Sequence, residues 1–192
     1  GPNTSIDVSS LSAADDIFEI HQQDSRKLEE TLRTFADVPD EGGFVDATLT
    51  SPPYFDLKNY GYEAENQLGQ GDSYDHYLEE IRDVFSQVYN VTNESGTLWV
   101  VVNTFKNNGE IVQLPSDIAS VCQNLSGMKQ CPESGSSLRL NQLDHHLTCG
   151  ECDYDHDRRS DSWLLQDIVI WNKTRALPYN SDGQFRNVFE YI

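Results

Sequence analysis

The run FVDATLTSPPY, residues 44–54, limits the fold more than any other part of the chain. Its first half has strand composition. Pro52 and Pro53 must end that strand, because proline has no N–H to give to a sheet ladder. Proline also fixes φ, so the loop Ser51-Pro52-Pro53-Tyr54 is stiff and holds its carbonyls and aromatic ring in set directions at the carboxyl end of a strand. Loops at that end of open α/β sheets bind ligands. Local chemistry alone therefore makes this loop a candidate site.

Around it, strand-like and helix-like runs alternate. IFEIHQQD, residues 17–24, reads as a short strand and SRKLEETLRTF as a short helix. From Ser73, the run SYDHYLEEIRDVFSQVYNV places Tyr77, Leu78, Ile81, Val84, Phe85 and Val88 on one helical face, with Ser73 or Asp72 able to cap it. GTLWVVVNTF is a continuous apolar run of the kind buried on both faces in a parallel sheet. LPSDIASVCQNL predicts a helix with proline near its start, and SWLLQDIVIWNK returns to strand composition. The alternation predicts an α/β fold with a doubly wound, mainly parallel sheet.

At 192 residues the chain is expected to be one domain with a small insertion. Residues 1–15 read as a flexible lead-in whose Gly1-Pro2 resembles the remnant of a cleaved tag, 16–192 as the body, and 126–162 as a cysteine-rich insertion. No apolar run approaches the length a bilayer needs, so a cytoplasmic location without a membrane partner is expected.

Charge argues against the partner that the motifs will suggest. There are 32 acidic and 13 basic residues, a formal net charge of −19. A nucleic-acid binder is normally basic. The acidic residues are spread through the chain, as in a solvated coat adapted to a high-salt cytoplasm. At molar salt the Debye length is about 3 Å, so repulsion from a polyanion is nearly erased.

The ordered set TSPPYFDLKNYG, the helix from Ser73, GTLWVVV, and DIVIWNK followed by Pro178 resembles the permuted amino-methylating DNA methyltransferases, whose catalytic block precedes their cofactor block. The resemblance covers residues 20–192. It implies a DNA substrate, S-adenosylmethionine as methyl donor and a role in restriction-modification. Serine in the first motif position is most similar to members acting on the 4-amino group of cytosine, with the 6-amino group of adenine as the alternative. The residue chemistry agrees with such a reaction. A ring-conjugated amine is a poor nucleophile, and fixed acceptors that draw its hydrogens help to localise the nitrogen lone pair. By this resemblance the acceptors are the Ser51 hydroxyl and the Pro52 carbonyl, stiffened by Pro53, and Tyr54 stacks on a base flipped from the duplex. Asp24 matches an acidic position beside the cofactor, where Ser51 also lies. Phe55, Lys58, Asn59, Trp171 and Lys173 are expected to line the substrate path, and Arg186 and Glu190 match the end of the family's segment. Asn103 departs from the acidic or hydroxyl residue often found there, and it receives no role.

An aromatic-x-Gly-x-Gly cofactor loop is missing from the sequence. The expectation is therefore a partial methyltransferase fold that works with a C-terminal cofactor-binding region or a second subunit. The rival reading is a non-catalytic, zinc-containing DNA- or protein-binding subunit with a methyltransferase-like fold. Four cysteines, Cys122, Cys131, Cys149 and Cys152, fall within 31 residues, close to His145, His146 and His156. Cys149-Gly150-Glu151-Cys152 has the spacing of a zinc knuckle. Structural zinc on the four cysteines, with His145 as the substitute for Cys122, stands beside unmetallated thiols and a disulfide as alternatives.

Overall fold

The computed structural model describes residues 20–36, 38, 42–55, 67–69, 73–141, 143–172 and 189–192, the last segment by its backbone except at Ile192. A 3₁₀ turn at Ser25–Lys27 leads into α1 (Leu28–Ala36), the helix expected over SRKLEETLRTF. Residues 20–24, expected to finish a strand, are irregular. Asp24 caps the turn instead, accepting a hydrogen bond from the Arg26 N–H.

β1 (Val45–Thr50) runs parallel to β2 (Thr92–Val100), and α2 (Tyr74–Val91) is the crossover that such a pair requires. The Ser73 hydroxyl caps α2 by accepting from the His76 N–H. Its apolar stripe buries Tyr77, Ile81, Val84, Phe85 and Val88, with Leu78 half-buried, as the spacing predicts. After β2 come a hairpin of β3 (Phe105–Asn107) and β4 (Glu110–Val112), then α3 (Leu114–Cys122) with Pro115 in its first turn. α3 packs Leu114, Ile118, Val121 and Cys122 against α2. β5 (Leu138–Asn141), β6 (His146–Cys149) and β7 (Asp155–Asp157) form a three-stranded antiparallel sheet. β8 (Ile170–Asn172) pairs antiparallel with β9 (Phe189–Tyr191).

The chain is thus α/β, but three expectations need correction. GTLWVVVNTF is not one strand buried on both faces: β2 stops at Val100 and Phe105 opens a hairpin turned by Asn108-Gly109, both at positive φ. Leu98 and Val100 face the core, whereas Trp99 is 47% exposed beside its register partner Leu49, 74% exposed, so among the described residues one face of the β1–β2 pair is uncovered. Parallel pairing among the described residues is confined to β1 and β2; the other ladders are antiparallel, and those of β3–β4 and β5–β6–β7 are hairpins that short turns close without a crossover helix. Lastly, SWLLQDIVIWNK is strand only at Ile170–Asn172 among its described residues, and Leu165, Ile168 and Ile170 are exposed. No helix among the described residues is long and apolar enough to cross a membrane.

Candidate functional site

Sheet pairing carries β1 to its last residue, where the Val101 N–H donates to the Thr50 carbonyl at 2.8 Å. The next four residues leave the sheet without helix or strand, as two successive prolines require. Ser51 is exposed, Pro52 is buried, and Pro53 and Tyr54 are half-buried. The loop is anchored from below. The Tyr77 hydroxyl, from the first turns of α2, donates to the Pro53 carbonyl at 2.6 Å.

Phe55 follows at φ 51°, a left-handed conformation costly for an aromatic residue. What holds it is an aromatic cluster: its ring meets Tyr74, Tyr77 and Phe105 at centroid distances of 5.4, 5.6 and 6.4 Å. Gly69, at φ 79°, closes over the cluster where a Cβ would lie 2.8 Å from Tyr77 Cδ2 and 3.1 Å from Phe55 Cα. The Tyr74 hydroxyl donates to Asp117 Oδ2 at 2.7 Å, tying α2 to α3. Burial pushes the phenols of Tyr74 and Tyr77 well above their ordinary range, so both remain donors.

Of the residues expected in this site, Ser51, Pro52, Pro53 and Tyr54 lie together, and Phe55 packs with Tyr54 against the core. Trp171 is on β8, half-exposed. Lys58, Asn59, Lys173 and Arg186 lie outside the described residues, as does the Glu190 side chain. Tyr77, Tyr74 and Gly69 were not anticipated as parts of the site. The stripe on α2 located Tyr77, but periodicity does not say what a buried hydroxyl bonds to; a buried tyrosine needs a partner, which was the available signal.

Asp24, expected beside a cofactor, is otherwise engaged. Its two carboxylate oxygens accept from the Arg26 N–H, Nε and Nη2 at 2.8–3.1 Å. These hydrogen bonds hold the carboxyl below the usual carboxylate range. In this structure Asp24 thus holds Arg26, and among the described residues no glycine-rich loop completes a cofactor site with exposed Ser51.

The cysteines divide. Cys131, Cys149 and Cys152 bring their sulfurs within 4.8 Å of one another. Cys122, expected as a fourth ligand, belongs to the α2–α3 core, where burial pushes its thiol up to about 12. The reason is helical register: Cys122 lies four residues after Ile118 and so shares its apolar face. Hydrogen bonds from the Ser134 hydroxyl and the Glu151 N–H bring the Cys149 thiol down to about 7. Among the histidines, His146 pairs with Asp155, and His156 Nε2 lies 2.8 Å from Asp161 Oδ2.

Residues 45–192 match the family described as DNA methylase. Type II methyltransferase M.Cfr9I of Citrobacter freundii is 26% identical over 136 residues, 71% of this chain and 42% of that protein. Type II methyltransferase M.SmaI of Serratia marcescens is 26% identical over 147 residues, 77% and 47% respectively. The chain therefore spans less than half the length of these relatives. A solved structure of a DNA modification methylase from Thermus thermophilus superposes with a TM-score of 0.46 at 22% identity, over 88% of this chain and 49% of that one. With the greater part of its length matched, this chain belongs to the DNA methylase family, the N6/N4 amino-methylating DNA methyltransferases.

Proposed function

We propose that this chain supplies the amine-binding side of an S-adenosylmethionine-dependent, type II DNA methyltransferase. The observation that carries the reading is the Ser51-Pro52-Pro53-Tyr54 turn at the end of a parallel strand, its Pro53 carbonyl pinned by the Tyr77 hydroxyl. The Ser51 hydroxyl and Pro52 carbonyl would accept the two hydrogens of an exocyclic amine, and Tyr54 would stack on the extruded base. S-adenosylmethionine supplies an electrophilic methyl group in such a reaction. The described residues do not by themselves make up a pocket for it. Serine in the first motif position supports N4 of cytosine as the acceptor over N6 of adenine.

The uncovered face bearing Leu49 and Trp99 supports a further part of the reading: the cofactor-binding region, in the same polypeptide or a second subunit, covers apolar surface here. A separate apolar groove of about 630 Å³, between β2, α3 and residues 163–169 and lined in part by Leu98, Val100, Ile118 and Trp163, lies on the α3 side of β2.

The test is methyl transfer from labelled S-adenosylmethionine to DNA by the complete enzyme containing this chain. Loss of one fixed acceptor in Ser51→Ala is expected to reduce the rate roughly a hundredfold, about 3 kcal/mol of transition-state stabilisation. Nucleoside analysis of the product should give N4-methylcytosine; N6-methyladenine would reassign the base. A Ser51→Ala, Tyr54→Ala enzyme that methylates at full rate would refute the site.

A further inference from the structure

We propose that Cys131, Cys149 and Cys152 bind a zinc ion, with the Ser134 side chain at the fourth corner of the site. This rests on the cysteine-bearing sheet alone and is independent of the methyl-transfer reading.

Two turns of the same kind face each other. In the first, Cys131 accepts at its carbonyl from the Gly135 N–H at 2.9 Å and donates from its own N–H to the Ser136 carbonyl at 2.8 Å, which folds residues 131–136 into a tight loop. Around it, the Gln130–Ser137 bridge and the Leu138 N–H bond to the Lys129 carbonyl close the strands. In the second, Cys149 ends β6 and its N–H donates to the Tyr154 carbonyl at 3.0 Å, which folds back residues 150–153. Each turn places a sulfur at its start and a short polar side chain three residues later. That residue is Cys152 in one turn and Ser134 in the other.

The four atoms converge. The three sulfurs lie within 4.8 Å of one another, and Cys131 Sγ is 3.5 Å from Cys152 Sγ. Ser134 Oγ lies 3.2 Å from Cys149 Sγ. Sulfurs about 2.3 Å from a tetrahedral zinc stand about 3.8 Å apart, so the cluster needs only small side-chain adjustments to close on an ion. The cysteines are not bonded to one another. Thiolates are soft ligands and favour zinc over hard divalent cations.

The neighbouring groups fit this choice. Three thiolates and one Zn²⁺ leave a single negative charge, and the Arg139 guanidinium lies over the second turn, 3.8 Å from where a Cβ on Gly150 would stand. No histidine joins the cluster among the described residues, and Cys122 lies in the helical core. The site also meets a structural need. Apart from Cys131, the one fully buried apolar side chain among the described residues of 126–157 is Leu147, too little to hold three short strands.

The experiment is elemental analysis of the 192-residue chain purified without chelators, followed by cobalt(II) titration of the zinc-stripped protein. About one zinc per chain is expected, retained by Cys122→Ala and lost from Cys131→Ser, Cys149→Ser and Cys152→Ser. Cobalt should give sulfur-to-metal charge-transfer absorption that grows by roughly one third in Ser134→Cys, as three thiolates become four. This variant exchanges a hydroxyl for a thiolate and so reads the site even if the cysteine replacements fail to fold. Absence of zinc together with no cobalt–thiolate absorption would overturn the site, as would a Cys131–Cys152 disulfide in the purified protein. Unchanged cobalt absorption in Ser134→Cys would overturn the fourth corner.

Discussion

Helices α2 and α3 bury Tyr77, Ile81, Phe85, Leu114 and Ile118 in one apolar layer, whereas β5, β6 and β7 bury Leu147 and leave Leu143 91% exposed. The same chain thus holds two neighbouring regions by different means. The helical layer is stabilised by apolar area, and its polar groups are tyrosine hydroxyls given partners at Pro53 and Asp117. In the sheet, short ladders, turn hydrogen bonds and a sulfur cluster stand in for a core. A region that cannot bury enough apolar surface must add a local cross-link or remain marginal.

The comparison predicts its largest effect in the helical layer. Ile81 is 1% exposed in the centre of the α2 stripe, so Ile81→Ala should cost about 3–4 kcal/mol and lower the melting temperature by roughly 10 °C. Calorimetry should show one cooperative loss of α2, α3 and the β1–β2 pair. Melting with α2 intact would mean that the layer is not one unit.

Alkali should also act on the helical layer first. Burial raises the Cys122 thiol to about 12 and raises both Tyr74 and Tyr77, so the folded state keeps protons that the unfolded chain releases. The stability from Cys122 is complete below its ordinary value near 9 and is lost as pH rises towards about 12, at up to ~1.4 kcal/mol per pH unit. Denaturant midpoints measured across that range should fall steeply in the native chain and less steeply in Cys122→Ala, with the tyrosines keeping part of the slope. Equal slopes in the two proteins would show that Cys122 is not the buried titrating group.

Leu147→Ala should cost less, about 2 kcal/mol, because a sparsely packed site offers fewer contacts to lose. Hydrogen exchange should place the loss in residues 138–157 and leave α2 protected. If α2 loosened equally, the two regions would be one cooperative unit.

The parts legible in the sequence were those in which one physical rule acts alone. The α2 stripe and its Ser73 cap follow from helical spacing, and the exit from β1 follows from the absent N–H of Pro52 and Pro53. The convergence of Cys149 and Cys152 follows from their spacing in one turn. The remainder depended on competing rules. GTLWVVVNTF has apolar content that suggests one continuous strand, but Asn108-Gly109 just beyond it fixes a hairpin that takes Phe105 out of β2. Cys122 counted towards a cysteine cluster by proximity in sequence, while its spacing from Leu114 and Ile118 already put it on the apolar side of α3. The strands LRLN, HLTC and DHD carry little alternation because little of the sheet they form is buried, so the pattern that reveals most strands is weak there. The one-sided burial of Trp99 was not legible at all, since an apolar run does not state how many of its faces are covered.

The smallest effect is expected at the residue joining the two regions. Arg158, after β7, is 2% exposed; its Nη1 donates to the Gln123 carbonyl at the end of α3, and its backbone N–H donates to the His145 carbonyl. Its Nε has no hydrogen-bond partner among the described residues, and burial lowers the guanidinium's proton affinity. Burying this charge therefore offsets much of what its hydrogen bond to the Gln123 carbonyl contributes. Arg158→Met keeps most of the packed stem and removes the desolvation penalty, but leaves the Gln123 carbonyl unpaired, so the net change should fall within about 1 kcal/mol of zero. Arg158→Ala loses the stem as well and should cost about 2 kcal/mol more than the methionine variant. Chemical denaturation of the two variants separates the contributions. A methionine variant as damaging as the alanine one would show that the joint between helical layer and sheet is the charged hydrogen bond rather than the packing around it.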